Sequence, residues 1–522
     1  MFEIKSTDLA ARIGKLHTKN GNLQTPALLP VLHPANQIIE TSLIKRMGFE
    51  AVMTNSYITW QKYGEEAVKK NIHKIVEFEG PIMTDSGGYQ VLEYGKVDVG
   101  EIEIAKFQEN IDSDFCNILD KPTSLADNWE TARDSVSKTL QSCEITLKNI
   151  EHKSIWMGPI QGGKFLDLVE FSAKQLSKMN FDMYALGSPT EIMENYDYTL
   201  LAKMIITAKK NIPVDKALHL FGLGHPLPLS MAVALGCDTF DSASYILYAK
   251  HGRYITENGT RNIDELEYLP CICETCNKYS VREMRQLEHP ERIKAIGTHN
   301  LWLLWKEIVA TRQAIREGRL WEYVGMRSRA HPKMWDAFVY ISNNIDEMTT
   351  FQKRFKSKGM FLSSFPDNRR PELRNYQNRI IEFFTKFEGQ KIIIIPVTKN
   401  KPLLYNNKLK KLLENSQADY IIGYIISPIG FVPYQITDIY PISHIESSME
   451  IRKDTLVRDE LISTIRNQFN ILNPESIIFM KDKRLDQRII DFIVRELKPE
   501  KVIDCESDLV YSELEGVLND QE

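Results

Sequence analysis

The sequence predicts an α/β protein whose N-terminal part closes into a (β/α)8 TIM barrel bearing a metal-binding subdomain, followed by smaller α/β regions. Three observations predict it. Eight short apolar stretches alternate with longer segments of helical pattern over the first 245 residues. Polar and acidic side chains recur where those stretches end, and a Cys-x-Cys-x-x-Cys cluster follows the last of them. Strands alternating with helices imply a parallel sheet, and eight repeats are the number that closes a barrel.

In order, the stretches are "TPALLPVL", "AVMTNSYI", "GPIMTDSG", "DFCNILDK", "SIWMGPIQ", "MYALGSPT", "ALHLFGLG" and "DTFDSASY". Between them lie segments such as "ENYDYTLLAKMIITAKKN", where Leu200, Met204 and Ile205 form an apolar stripe at helical spacing. An open doubly wound sheet is the alternative, but no Gly-x-Gly-x-x-Gly follows the first strand to support it. In a barrel, the C-terminal ends of the strands converge on one mouth. Asp85 then follows the third strand, Asp120 the fourth, Gln161 the fifth, Gly187 the sixth and Asp241 the eighth.

Three carboxylates and an amide in one pocket carry a chemical implication. Crowded carboxylates repel, so one should hold a proton near neutrality while another stays ionised. That suits a nucleophile with a general acid/base at an acetal-like carbon, as in retaining glycoside cleavage. Gly87 and Gly88 let the backbone approach a flat ligand, and Tyr89 offers a stacking face. The plainer reading, that each aspartate caps the next helix, explains one of them more easily than three at strand ends.

Cys271, Cys273, Cys276 and His299 supply three thiolates and an imidazole, the closed tetrahedral set of a structural zinc site. A long helix is expected to start near Leu301, just after His299, with Leu301, Trp305, Ile308 and Ile315 on one face. His219 and His225, at the end of the seventh strand, are read as packing residues without proton chemistry. The dispersed Cys116, Cys143, Cys237 and Cys505 read as small buried side chains.

Near residue 345 the chain changes character. Between Lys353 and Arg379 stand eight Lys or Arg with Phe355, Phe361, Phe365 and Tyr376 interleaved, a composition that can grip RNA or simply form a solvated face. A new α/β pattern begins at "KIIIIPVTKNKPLLY". The expected boundaries are 1–345 for the barrel with its zinc subdomain at about 265–320, 346–385 for a basic linker, 386–450 for one α/β domain and 451–522 for another.

The chain has 522 residues, enough for two or more domains, and a formal charge of −5, so any nucleic-acid site must be a local patch. It shows no transmembrane-length apolar run and no signal-peptide pattern, which makes the cytoplasm the expected location.

"MTDSGGYQ", "GPIQGG", "HLFGLGHP" and "DTFDSASYILYAKHGRY", with the cysteine cluster and later histidine, resemble the tRNA-guanine transglycosylases over about residues 10–345. The "FDSASY" and "LYAK" wording is most similar to the archaeal branch. The resemblance implies that Asp241 attacks the ribose anomeric carbon of a tRNA guanosine and that Asp85 is the acid/base group. It further implies that Asp120 and Gln161 bond the base edge, that Ser86 and Gly187 contribute from the backbone, and that Tyr89 is the aromatic stacker. The implied reaction exchanges guanine at tRNA position 15 for 7-cyano-7-deazaguanine, on the path to archaeosine. A non-catalytic tRNA-binding paralogue and a wobble-position queuine-type enzyme are the alternatives. Ser188 and Pro189 stand where a second glycine and small apolar residues are expected, which bears on the choice of base. The resemblance also implies one structural Zn2+ per chain and a homodimer.

The second region resembles the domain shared by archaeal transglycosylases and archaeosine synthase. It keeps Pro396, Lys401 and Pro402 but has Val397 for the synthase cysteine and Leu403 for its tyrosine, so synthase chemistry is not expected. A C-terminal PUA domain is not recognised, so either the region from Lys353 onward grips tRNA itself or a separate PUA-containing polypeptide completes the enzyme, the second being slightly favoured by the negative net charge and acidic tail.

Overall fold

The computed structural model describes residues 2–88, 100–345, 352–353, 355–396, 420–447, 455–482, 485–505 and 510–519. Tyr89, Val397, Lys401, Pro402 and Leu403 lie outside them. The chain divides into two units, Met1–Ile341 and Ser342–Glu522. Among the described residues no helix is long and apolar enough to cross a membrane.

In the first unit, β1 (Ala27–Pro30), β2 (Val52–Asn55), β3 (Ile82–Asp85) and β4 (Phe115–Asn117) are each one of the expected stretches. So are β5 (Ile155–Ile160), β6 (Met183–Leu186), β7 (Ala217–Leu220) and β8 (Thr239–Ser242). They pair in parallel in the order β1-β8-β7-β6-β5-β4-β3-β2. A parallel bridge between Val31 and Met53, with the Leu32 N–H donating to the Met53 carbonyl at 2.7 Å, joins the two ends. The eight-stranded barrel that the alternation predicts is the observed fold.

The barrel interior is a packed layer of Leu29, Met53, Met83, Phe115, Met157, Met183 and Ala217. Leu16 and Leu23 join that cluster from an antiparallel sheet of Phe2–Asp8, Ala11–Thr18 and Gly21–Gln24, which plugs the N-terminal end of the barrel. Because strand side chains alternate between faces, the residue two positions beyond a core residue faces the same interior one layer higher. Asn55 follows Met53 in this way, Asp85 follows Met83, Gly187 follows Ala185 and His219 follows Ala217. The mouth is thus the next layer of the same period-two pattern.

Outside, Trp129–Leu147, Leu166–Leu176, Tyr198–Lys210 and Pro226–Ala234 follow β4 to β7. The Tyr198 helix starts where Asp197 accepts the Leu200 N–H at 3.0 Å, and Lys209 and Lys210 complement the negative end of its dipole. The long helix near the metal cluster spans His289–Glu317, so His299 lies well inside it rather than just before its start. Pro290 pre-sets the first turn, and the buried Ile293 and Ile296 extend the apolar face backwards.

The second unit is a five-stranded sheet of β9 (Lys391–Ile395), β10 (Tyr420–Ile426), β11 (Gly430–Pro433), β12 (Ile477–Asp482) and β13 (Lys501–Cys505). Their order is β11-β10-β9-β12-β13, antiparallel only between β10 and β11. Strands from both expected C-terminal segments, 386–450 and 451–522, therefore share one sheet. Ile392 and Ile394 pack under the helices Pro371–Phe384 and Thr455–Leu472, while Ile393 and Ile395 pack under Val510–Asn519 on the opposite face. The run of isoleucines is what a strand covered on both sides requires.

Within the basic stretch, two cations are internal. Arg370 and Lys356 are buried against the buried carboxylate of Glu372, which accepts from Arg370 Nε at 2.9 Å and from Gln352 Nε2 at 3.2 Å. Despite its burial, these two cations hold the Glu372 carboxyl well below the usual carboxylate range. Those two charges belong to the core of the unit and are not part of a solvated face.

Candidate active site

Asp85 ends β3 and keeps only part of its surface accessible at the mouth. Asn55 donates its Nδ2–H to Asp85 Oδ2 at 3.0 Å, and it is held in that orientation because its Oδ1 caps the next helix, accepting the Ile58 N–H at 2.8 Å. Burial first, then the charges of Asp120 and Asp241, push the Asp85 carboxyl up to about 7, against the pull of the Gly87 and Ser86 N–H groups. The repulsion expected among crowded carboxylates is present, with burial the larger cause. Ser86 is buried and its hydroxyl donates to the Ile118 carbonyl at 2.9 Å, which leaves only its backbone to face a ligand.

Asp120 and Gln161 form a pair. Gln161 Nε2 donates to Asp120 Oδ2 at 2.5 Å. Its Oε1 is fixed from the other side by the Ser188 hydroxyl at 2.8 Å and the Thr123 N–H at 3.3 Å. Ser188 Oγ in turn accepts the Thr123 N–H at 2.8 Å, so Ser188, in the left-handed region at φ 61°, orients the amide. Burial raises the Asp120 carboxyl to about 6, with the Gln161 hydrogen bond opposing it.

Two glycines keep space around this pair. A Cβ on Gly88 would stand 2.1 Å from Asp120 Oδ1, and one on Gly187 would stand 2.2 Å from Gln161 Nε2. The Gly187 N–H already donates to the Ile160 carbonyl at 2.9 Å, so what Gly187 contributes is room rather than a free donor.

Asp241 lies on β8, 8% exposed. Its Oδ1 accepts the Gly222 N–H at 2.8 Å and faces His219 Nε2 at 3.1 Å. A carboxylate can only accept, so Nε2 carries the proton, while Nδ1 meets Thr239 Oγ1 at 2.9 Å. Among the described residues, Oδ2 of Asp241 accepts no hydrogen bond and is left for a ligand. His219 is wholly buried and orients the carboxylate, a role that sequence reasoning missed together with that of Asn55. The signal was available: both stand two residues beyond a core side chain on their strands. His225 is structural, its Nδ1 accepting the Leu227 N–H at 3.1 Å at a helix start. Cys116, Cys143, Cys237 and Cys505 are buried.

Cys271, Cys273, Cys276 and His299 bring their four ligand atoms within 4.8 Å of one another, a group that could hold a metal ion. His299 Nδ1 lies 3.6 Å from Cys273 Sγ and 3.4 Å from Cys276 Sγ. Tetrahedral metal bonds of about 2.3 Å to sulfur and 2.1 Å to nitrogen separate such atoms by about 3.6 Å. His299 Nε2 donates to the Ile255 carbonyl at 2.7 Å, which leaves Nδ1 as the ligand nitrogen. Tyr254 stacks on the imidazole at 3.6 Å and its hydroxyl lies 3.1 Å from Cys276 Sγ. The residues fit a metal and its supporting shell.

Comparison with known proteins gives the same picture. The sequence pattern of the family described as queuine tRNA-ribosyltransferase matches residues 7–333. The tRNA-guanine(15) transglycosylase of Saccharolobus solfataricus is 39% identical over 481 residues, 89% of this chain and 94% of its own. That of Aeropyrum pernix is 40% identical over 405 residues, 76% of this chain and 79% of its own. That of Methanocaldococcus jannaschii is 37% identical over 456 residues, 85% and 68% respectively. The chain belongs to the queuine tRNA-ribosyltransferase family, a family of pentosyltransferases, and to its archaeal-type tRNA-guanine transglycosylase branch.

Proposed function

We propose that this enzyme exchanges guanine at position 15 of tRNA for 7-cyano-7-deazaguanine by double displacement. The observation that carries the reading is the pairing of Asp241, with one carboxylate oxygen fixed by His219 and Gly222 and the other unengaged, with Asp85, whose pKa is raised to about 7. Asp241 Oδ2 attacks ribose C1′, the C1′–N9 bond breaks, and the leaving guanine takes its proton from Asp85. Asp85 then removes the N9 proton of the incoming base, which attacks C1′ and frees Asp241. Two inversions retain configuration, and one glycosidic bond replaces another, so no external energy source is needed. Asp120 accepts from the donor edge of the base while Gln161 Nε2 faces its carbonyl, the Ser188 contact holding that amide in register. Tyr89 would be the stacking face.

The test is incorporation of labelled guanine, and of the labelled deaza base, into defined tRNA transcripts with the modified position mapped. Label at position 15 is expected; label at the wobble position would replace this reading with the queuine-type one.

In the same reading the Cys271, Cys273, Cys276 and His299 group holds a structural zinc, which pins the cysteine segment Cys271–Cys276 to the long helix, and the enzyme is a homodimer. Cys273→Ala is expected to abolish the one equivalent of bound zinc and to lower the melting temperature by several degrees or more. Metal analysis paired with a thermal melt checks it; full stability without metal would remove the zinc from the account.

A further inference from the structure

Tyr196 ends the segment that links β6 to the helix Tyr198–Lys210, so it stands on the same C-terminal face of the barrel as the mouth. A helix of five residues, Thr190–Glu194, about 8 Å long at 1.5 Å per residue, separates it from the Gly187–Ser188 edge of the pocket. Its backbone adopts φ 57°, a left-handed conformation that a tyrosine takes at some cost, held by N–H bonds from Tyr196 to the Met193 carbonyl and from Asp197 to the Ile192 carbonyl, both 3.0 Å. Despite this fixed backbone, the side chain remains 49% exposed.

The ring is not loose. It lies parallel to the His331 imidazole, with centroids 5.0 Å apart and planes 13° apart, and the buried Tyr198 meets both rings edge-on at 6.2 Å. His331 is itself locked, because its Nδ1 accepts the Lys333 N–H at 3.2 Å at the start of Pro332–Asn343. Two exposed cations, Arg329 and Lys333, stand two residues to either side of His331 in the chain, Arg329 lying over Trp335 at 4.5 Å and Lys333 3.9 Å from Asp336. A rigid aromatic face backed by a second ring suits an unstacked nucleobase, and exposed cations close by in sequence suit its phosphates. A tyrosine serving only as core would have turned inward, as Tyr198 does.

We propose that the Tyr196–His331 stack is a platform on which an unpaired base of the tRNA substrate stacks beside the pocket while the target base is in it. The proposal rests on tRNA being the substrate, as in the function proposed above. Drawing a base from the folded core of tRNA leaves neighbouring bases unstacked, and a platform on the rim recovers part of that loss.

The experiment measures the dissociation constant of a tRNA transcript for the full chain and for Tyr196→Ala, Tyr196→Phe and Arg329→Ala over a range of salt concentrations, with a thermal melt of each. Tyr196→Ala is expected to weaken binding at least about fivefold with an unchanged salt slope, since stacking releases no counterions. Tyr196→Phe should bind within about twofold of wild type, because the ring face is kept. Arg329→Ala should flatten the salt slope. Unchanged affinity in a folded Tyr196→Ala protein would overturn the platform. Equal loss in the Ala and Phe variants with a lowered melting temperature would assign the ring to packing and overturn it too. A wild-type chain that transfers base to tRNA yet shows no Tyr196 effect separates failure of the platform from failure of the function; one that binds no tRNA at all sinks both.

Discussion

Asp241→Asn is expected to abolish base exchange, by on the order of 10⁴-fold or more, and to leave no covalent enzyme–tRNA adduct. The reason lies in which oxygen is replaced. Oδ1 can keep its contacts from the Gly222 N–H and His219 Nε2, so the amide sits where the carboxylate sat and the fold loses little. Only Oδ2, which no described residue engages, becomes an NH2 group without the charge or lone pair to attack C1′. tRNA binding should therefore persist while chemistry stops. Denaturing gels of enzyme incubated with labelled tRNA, alongside guanine release, provide the measurement. A stable adduct from the Asn variant would move the nucleophilic role to Asp85.

Much of this site is visible in the sequence because a barrel is periodic. Each short apolar stretch ends at the mouth, so Asp85, Asp120, Gln161, Gly187 and Asp241 can be assigned to one pocket without coordinates. What escapes local reading is the pairing across strands. His219 looks like a lone histidine until β8 lies beside β7 and sets Asp241 next to it, and Asn55 matters only because β2 neighbours β3. The same limit explains the basic stretch after residue 350. Lys356 and Arg370 read as solvent charges because their partner, Glu372, becomes a buried anion only after Pro371–Phe384 packs on the second sheet. The long helix is legible only from Leu301 onward because its earlier turns bury small and polar side chains, Ala295, Gly297, Thr298 and Asn300, so Ile293 and Ile296 alone do not mark an apolar stripe.

Asp85→Asn should lose exchange by about 10²- to 10⁴-fold, the usual span for removing a general acid/base, yet gain stability at alkaline pH. The two effects have one cause. The Asp85 pKa rises from 3.8 to about 7 in the folded chain, so between those values the folded protein retains a proton that the unfolded chain has released. Stability therefore falls as pH rises across that interval, by about 1.4 kcal/mol per unit at most, and above pH 7 the full penalty of up to about 4 kcal/mol is present. Asparagine carries no charge at any of these pH values and can still accept from Asn55 Nδ2. The variant should then melt above wild type at pH 8, with the gap closing as the pH falls towards 4, while its activity stays low throughout. Paired melting curves across this range read both limbs. A variant that melts at or below wild type at pH 8, or a gap that does not close on acidification, would mean that folding leaves Asp85 as acidic as it is in the unfolded chain, and the proton it is proposed to deliver would have to come from elsewhere.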